Sequence, residues 1–257
     1  MYQGKIIDAH IHPFTDDTNE SVNIAAYGVT KSEEEFFAEL KKCGFSKVCG
    51  SVLRKGPATF EEIKGLNRTA LALRDRHPEY VPGIHVHDED AEGSCKELEE
   101  MYHIHHVRWI GELVDYALKT GIYNSPGMMK IYETARDLSM PVNIHCSDLA
   151  VIEDVLKNFP TLPLVIAHPE DLGTSRKRFD LVAKYPNAYL DVSGTGLFRW
   201  GMLRYAVNIC GSEKILFGSD FPICSPGMNL GGVLSEHLTD PELENILYKN
   251  FERLTQQ

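Results

Sequence analysis

Short apolar runs rich in β-branched residues return along the chain at fairly even intervals. They are KIIDAHIH (5–12), KVCGSVL (47–53), YVPGIHVH (80–87), VRWIGEL (107–113), MPVNIHC (140–146), LPLVIAH (162–168), AYLDVSG (188–194) and KILFGSD (214–220). Each predicts a strand. Between them lie segments of helical periodicity with recognisable start signals. Ser32 with Glu35, Thr59 with Glu62, and Ser94 with Glu97 each form a capping-box pattern ahead of an apolar stripe. Ser125-Pro126 supplies an N-cap followed by an N1 proline, Asp148 precedes Ile152 and Val155, and Thr174 precedes Phe179 and Val182. A helix is predicted after Gly196, and Asp240-Pro241 opens the last one. Strands that alternate with helices at this period argue for parallel βαβ units. Eight of them in about 250 residues is the size of a closed (β/α)8 TIM barrel, with an open doubly wound sheet as the competing architecture. No repeat, low-complexity tract or linker interrupts the pattern, so residues 1–257 are assigned to a single domain.

Composition narrows the class. The 257 residues are 43% hydrophobic and 25% charged, as in ordinary globular chains. A formal net charge of -11 disfavours nucleic acid, whose affinity rests on Lys and Arg displacing counterions. It suits a small-molecule substrate better. The six cysteines form no CxxC pair and are too sparse for a disulfide scaffold, so they read as reduced thiols. The N-terminus lacks a basic segment and long apolar core, and no apolar stretch of about 18 residues occurs. A cytoplasmic protein without a membrane segment is expected; self-association is left open.

Titratable residues gather at the C-terminal ends of the predicted strands: His10 and His12, Glu112, His145, His168 and Asp220. In a barrel these ends converge on one mouth, where active sites are built. Positions 10 and 12 share a face of their strand, so the pair can grip one ion, although a core histidine is the plainer reading of either alone. Asp8 lies on the same face one step deeper. It is either the carboxylate that accepts an imidazole N–H and fixes its tautomer or a buried hydrogen-bonded acid. Together the imidazoles and carboxylates suit Zn²⁺ first, and Mn²⁺, Fe²⁺, Co²⁺ or Ni²⁺ less specifically. Arg54, Tyr116, Arg199 and Trp200 sit near strand ends, where they can either meet a substrate or serve surface and packing roles. His85 and His87 are assigned to pocket lining or core, His103, His105 and His106 to solvent, and Cys146 to the face opposite His145.

The sequences DAHIHPF, NIHCSD, IAHPE and FGSDFP, in this order on successive strands, resemble the metal-dependent amidohydrolase superfamily, in particular its amidohydrolase-2 branch. The ending ILYKNFERL (246–254) resembles that branch's terminal helix. The resemblance implies a barrel whose metal is surrounded by His10, His12, His145 and Asp220, with His168 a further ligand or a substrate contact. Strand four carries no lysine to bridge two metals as a carbamate. It carries Glu112, as binuclear members such as TatD-like phosphodiesterases carry a glutamate, so Glu112 is either a metal ligand or a substrate-binding or structural carboxylate, and one or two ions fit. The implied chemistry is hydrolysis of an amide, ester or lactone by metal-activated water. Asp220 is the expected general base, and His168 is the expected catalytic partner at the carbonyl. The alternatives are a TatD-like phosphodiesterase or nuclease, a decarboxylase of the same branch, and a non-catalytic binding protein on this fold.

Overall fold

The computed structural model describes residues 2–17 and 32–256. Eight parallel strands stand in sequence order, β1 (Ile7–Ile11), β2 (Lys47–Ser51), β3 (Tyr80–Ile84), β4 (Trp109–Leu113), β5 (Val142–Ile144), β6 (Leu164–Ile166), β7 (Ala188–Asp191) and β8 (Ile215–Leu216). β8 meets β1 through Ala9 N–H to the Phe217 carbonyl at 2.9 Å and Asp220 N–H to the His10 carbonyl at 2.8 Å. An isolated parallel bridge between Ile11 and Phe221 continues the seam. The sheet is thereby wrapped into a barrel, as the spacing of apolar runs predicts.

Helices follow the strands: α1 (Glu33–Lys42), α2 (Phe60–Arg76), α3 (Ala91–His103), α4 (Pro126–Asp137), α5 (Leu149–Asn158), α6 (Leu172–Lys184), α7 (Met202–Cys210) and α8 (Pro226–Leu234), with Asp115–Leu118 a short extra turn after β4. The capping boxes at Ser32 and Thr59 and the caps at Ser125 and Asp148 form as predicted. Two start signals fall elsewhere. α3 begins one turn earlier than Ser94, capped by Asp90, whose side chain accepts the Gly93 N–H. Ser94 lies inside the helix, where its hydroxyl donates to the His87 carbonyl and accepts the His87 N–H. Glu97 pairs with Arg68. α6 is capped by Asp171 rather than Thr174, because the Asp171 carboxylate takes both the Gly173 and Thr174 N–H groups.

Apolar side chains between barrel and helices form the main core, with Ile131, Ile152, Phe179 and Leu203 among its buried members. A separate cluster joins Ile7, Cys49, Trp109, Val165 and Leu216 of the strands to Phe251 and Leu254 of the terminal helix, Asn250–Thr255. Apolar burial there stabilises at roughly 25 cal/mol per Å² and leaves polar side chains to the C-terminal ends of the strands. Among the described residues no helix is long and apolar enough to cross a membrane.

Candidate metal centre

The barrel mouth opens into a cavity of about 420 Å³ lined by His12, Glu112, Tyr116, His145, His168 and Asp220, with Leu53 and Ile223 adding an apolar wall. The backbone is bent to aim these groups. His168 and Asp220 hold φ of 68° and 61°, the left-handed region that costs a non-glycine residue about 1–3 kcal/mol and recurs at functional sites. Gly111, at φ 98°, precedes Glu112; a Cβ there would stand 2.2 Å from the Asn143 carbonyl oxygen. Arg178 of α6, fully buried, donates to the carbonyls of His168 and Cys146 at 2.6 and 2.8 Å, as well as to Ala167 and Glu170. It thus fixes the turns that follow β5 and β6.

Glu112 is the centre of the arrangement and is 3% exposed. Its Oε2 lies 3.4 Å from His10 Nε2 and 3.3 Å from His12 Nε2. Its Oε1 lies 3.0 Å from His145 Nδ1 and 3.3 Å from His168 Nε2. Asp220 Oδ1 closes the first group at 3.4 Å from His12 Nε2 and 3.7 Å from His10 Nε2. One carboxylate therefore separates two sets of donors.

Tautomers make these sets ion-seeking. His10 Nδ1 faces Asp191 Oδ2 at 3.0 Å, and His12 Nδ1 faces the Ser51 carbonyl at 3.1 Å. Both acceptors demand an N–H, so in the neutral rings each Nε2 carries a lone pair. Yet the two Nε2 atoms are only 3.3 Å apart. Two lone pairs at that distance repel unless a proton or cation lies between them. His168 Nε2 and His145 Nδ1 repeat the contact at 3.2 Å. The donor set of imidazole nitrogens and carboxylate oxygens is the kind that binds a divalent ion.

The electrostatics point the same way. Burial would push the His10 and His12 rings toward neutrality. For His10, Glu112 and Asp191 outweigh it and hold its pKa well above the ordinary value. Hydrogen bonds to Asp220 and Glu112 raise His12 to about 9. His168 is raised as well, again against burial and chiefly by Glu112. Glu112 would be raised by its burial, but the surrounding imidazoles, His10 first, hold it well below the usual carboxylate range. The cavity calls for positive charge on either side of Glu112.

His10, His12, Glu112, His145, His168 and Asp220 thus meet at one place. Asp8 does not take the role of imidazole acceptor. A register irregularity between Asp8 and Ile11 interrupts the pairing of β1 with β2, and the Asp8 carboxylate accepts the backbone N–H groups of His10 and Ser219 at 3.1 and 2.9 Å. Burial raises its pKa to about 7. The residue that holds His10 is Asp191, at the end of β7. The AYLDVSG run carried the signal: a D-x-S pair at a strand end, the same spacing as H-x-H. Tyr116 lines the cavity and packs edge-on against His145 at 4.9 Å. Arg54 pairs with Glu62, Arg199 donates to the Glu170 carbonyl at 3.2 Å, and Trp200 is 74% exposed; none of the three lines this cavity. His85 and His87 are buried against the Val52 and Ala58 carbonyls, and burial lowers His85 to about 4. His103 and His106 are exposed. Among the described residues all six cysteines are free thiols.

The family model for amidohydrolases (Amidohydro_2) matches residues 7–254. No curated protein matches the chain. Among solved structures it is similar to 5-carboxyvanillate decarboxylase from Sphingomonas paucimobilis, at 14% identity and TM-score 0.75 over 98% of this chain and 99% of that one. It is similar to a dihydroxybenzoic acid decarboxylase from a Polaromonas species with bound manganese and 2-nitroresorcinol, at 17% identity and TM-score 0.71 over 99% and 97%. A third likeness is a putative amidohydrolase from Staphylococcus aureus, at 15% identity and TM-score 0.75 over 99% and 100%. At these identities the likenesses establish the fold.

Proposed function

The chain belongs to the amidohydrolase family and is a metal-dependent enzyme, and from that premise we propose that it hydrolyses a small-molecule amide, ester or lactone. The observation that carries the reading is the Glu112 carboxylate set between two groups of imidazole nitrogens. His10, His12, Glu112 and Asp220 would hold one divalent ion, with Glu112, His145 and His168 offering a weaker second position. Zn²⁺ is the first expectation for such donors, and the manganese of the Polaromonas neighbour makes Mn²⁺ the next. When bound, the metal supplies Lewis acidity that lowers the pKa of water from about 15.7 toward about 7.

The chain's own residues do the rest. Asp220 Oδ1 lies with the histidines, while its Oδ2 lies toward the Cys224 thiol at 4.0 Å, on the cavity side. The carboxylate is therefore placed to take a proton from the attacking water and hand it to the leaving group, a role worth about 10²–10⁴-fold. With the second position empty, a protonated His168 would donate from Nε2 to the carbonyl oxygen while Nδ1 stays on Ser193. Leu53 and Ile223 receive the apolar part of the substrate, with Tyr116 beside His145 at the rim.

The cavity lining includes no Lys or Arg among the described residues, which weighs against a phosphodiester. The decarboxylases of the same fold make loss of CO₂ from an aromatic acid the second reading. The test is a parallel panel of carboxyl esters, lactones, amides, a generic phosphodiester and hydroxybenzoates, run on stripped protein and on protein reloaded with Zn²⁺ or Mn²⁺. Metal-dependent hydrolysis of the carboxyl compounds is expected. Turnover confined to the phosphodiester, or CO₂ release alone, overturns the proposal.

A further inference from the structure

Beneath the donor groups lies a buried hydroxyl that touches both of them. The rings of His10 and His168 face each other with centroids 5.1 Å apart. Ser193 Oγ lies 2.9 Å from each Nδ1. The same hydroxyl bonds Asp191 Oδ1, which also accepts the Ser193 N–H at 3.1 Å. Asp191 Oδ2 accepts Asn143 Nδ2 at 2.7 Å and faces His10 Nδ1 at 3.0 Å. Asp191, Ser193 and Asn143 are 0%, 0% and 1% exposed. Gly194 is needed for this approach: it sits at φ 62°, and a Cβ there would stand 2.3 Å from His168 Nδ1.

Donor and acceptor counting fixes the protons. An ionised carboxylate only accepts, so the single Ser193 proton goes to Asp191. The Ser193 lone pairs then face both Nδ1 atoms, which must each be N–H. Both Nε2 lone pairs consequently point toward Glu112, His10 on its Oε2 side and His168 on its Oε1 side. We propose that Ser193, oriented by Asp191, is a positioning residue that locks His10 and His168 in the Nδ1–H form, so that one hydroxyl prepares both halves of the centre for metal.

The two partners act unequally, and that gives the test its shape. His10 also has Asp191, whereas Ser193 is the hydrogen-bond acceptor for His168 Nδ1 among the described residues. Ser193→Ala should therefore free His168 and spare His10. Asp191→Asn places an amide among five donors, the His168 backbone N–H included, and should drive His10 to accept at Nδ1, the wrong-tautomer effect known from catalytic triads. Loss of such an outer partner weakens metal binding by about 10–100-fold.

This inference rests on reading His10 and His168 as ligands, and the readouts separate the two claims. With ¹⁵N-labelled histidine, the zinc-loaded wild type should show slowly exchanging Nδ1–H signals for both His10 and His168. Ser193→Ala should lose only that of His168 and weaken one of two zinc-binding steps by about 10–100-fold. Asp191→Asn, which removes the direct acceptor of His10 and the group that orients Ser193, should weaken both. A wild-type spectrum with His168 carrying its proton on Nε2, or Ser193→Ala with both signals and both affinities intact, overturns the lock, and the first of these requires no variant to fold. Failure of zinc to bind the wild type counts against the metal reading alone, because the metal-free protein at alkaline pH, where both rings are neutral, must still keep their protons on Nδ1 if the lock holds.

Discussion

Replacing Glu112 with glutamine removes one negative charge and little else, since shape and burial are kept. The carboxylate oxygen stands 3.3 Å from His12 Nε2. At an effective dielectric of about 20, a unit charge at that distance contributes about 5 kcal/mol to a protonated ring. That corresponds to between three and four pKa units at about 1.4 kcal/mol each. His12, held at about 9 in the ion-free protein, should therefore titrate below its ordinary value of about 6.5 in Glu112→Gln, because its burial remains while Asp220 alone supports the charge. The same change removes the one oxygen pair shared by both donor groups. Wild type is expected to take up zinc in a tight and a weaker step, and Glu112→Gln in one. Chelator-competition titration reads the steps, and NMR of ¹⁵N-histidine reads the ring. Two undiminished steps in the variant, or His12 still titrating near 9, would refute the reasoning; a single step in both proteins would assign Glu112 to the substrate.

Asp220→Asn should lower kcat on the order of 10²-fold or more while most of the metal stays bound, which steady-state kinetics beside metal analysis will show; near-normal turnover contradicts the proton-transfer role. The double change His10→Ala and His12→Ala should abolish the tight zinc step, and metal content that survives it unchanged removes both residues from the centre. For pH, His12 is raised to about 9 when folded against about 6.5 unfolded, so its contribution to metal-free stability is complete below about 6.5 and is lost as pH rises through about 9, on the order of 3 kcal/mol. Urea unfolding of the stripped protein should show lower stability at about pH 10 than at about pH 6, and the reverse order is the contrary result.

The barrel was legible because local signals suffice for it: apolar runs, caps and spacing mark every strand and most helices. The errors at Ser94 and Thr174 arose because Asp90 and Asp171, one turn earlier, also carry cap side chains, and the backbone chose the carboxylates. The candidate site was legible in part, since strand-end position brings His10, His12, Glu112, His145, His168 and Asp220 to one mouth regardless of loop detail. What supports them was not. Asp8 stands two positions before His10 in sequence, but its carboxylate is taken by the backbone N–H groups of His10 and Ser219, beside the interrupted register of β1. Asp191 reaches His10 across 181 positions of chain, a contact that only barrel closure creates. Arg178, buried under the turns at Cys146 and His168, reads in sequence as an ordinary helix arginine.

The most direct measurement is anomalous diffraction from crystals soaked in Mn²⁺ or Zn²⁺. The expected map has a strong peak among His10, His12, Glu112 and Asp220, and a weaker one on the far side of the Glu112 carboxylate beside His145 and His168. A protein that turns over its substrate while no anomalous peak touches Glu112 or the His10 and His12 pair would contradict the central claim.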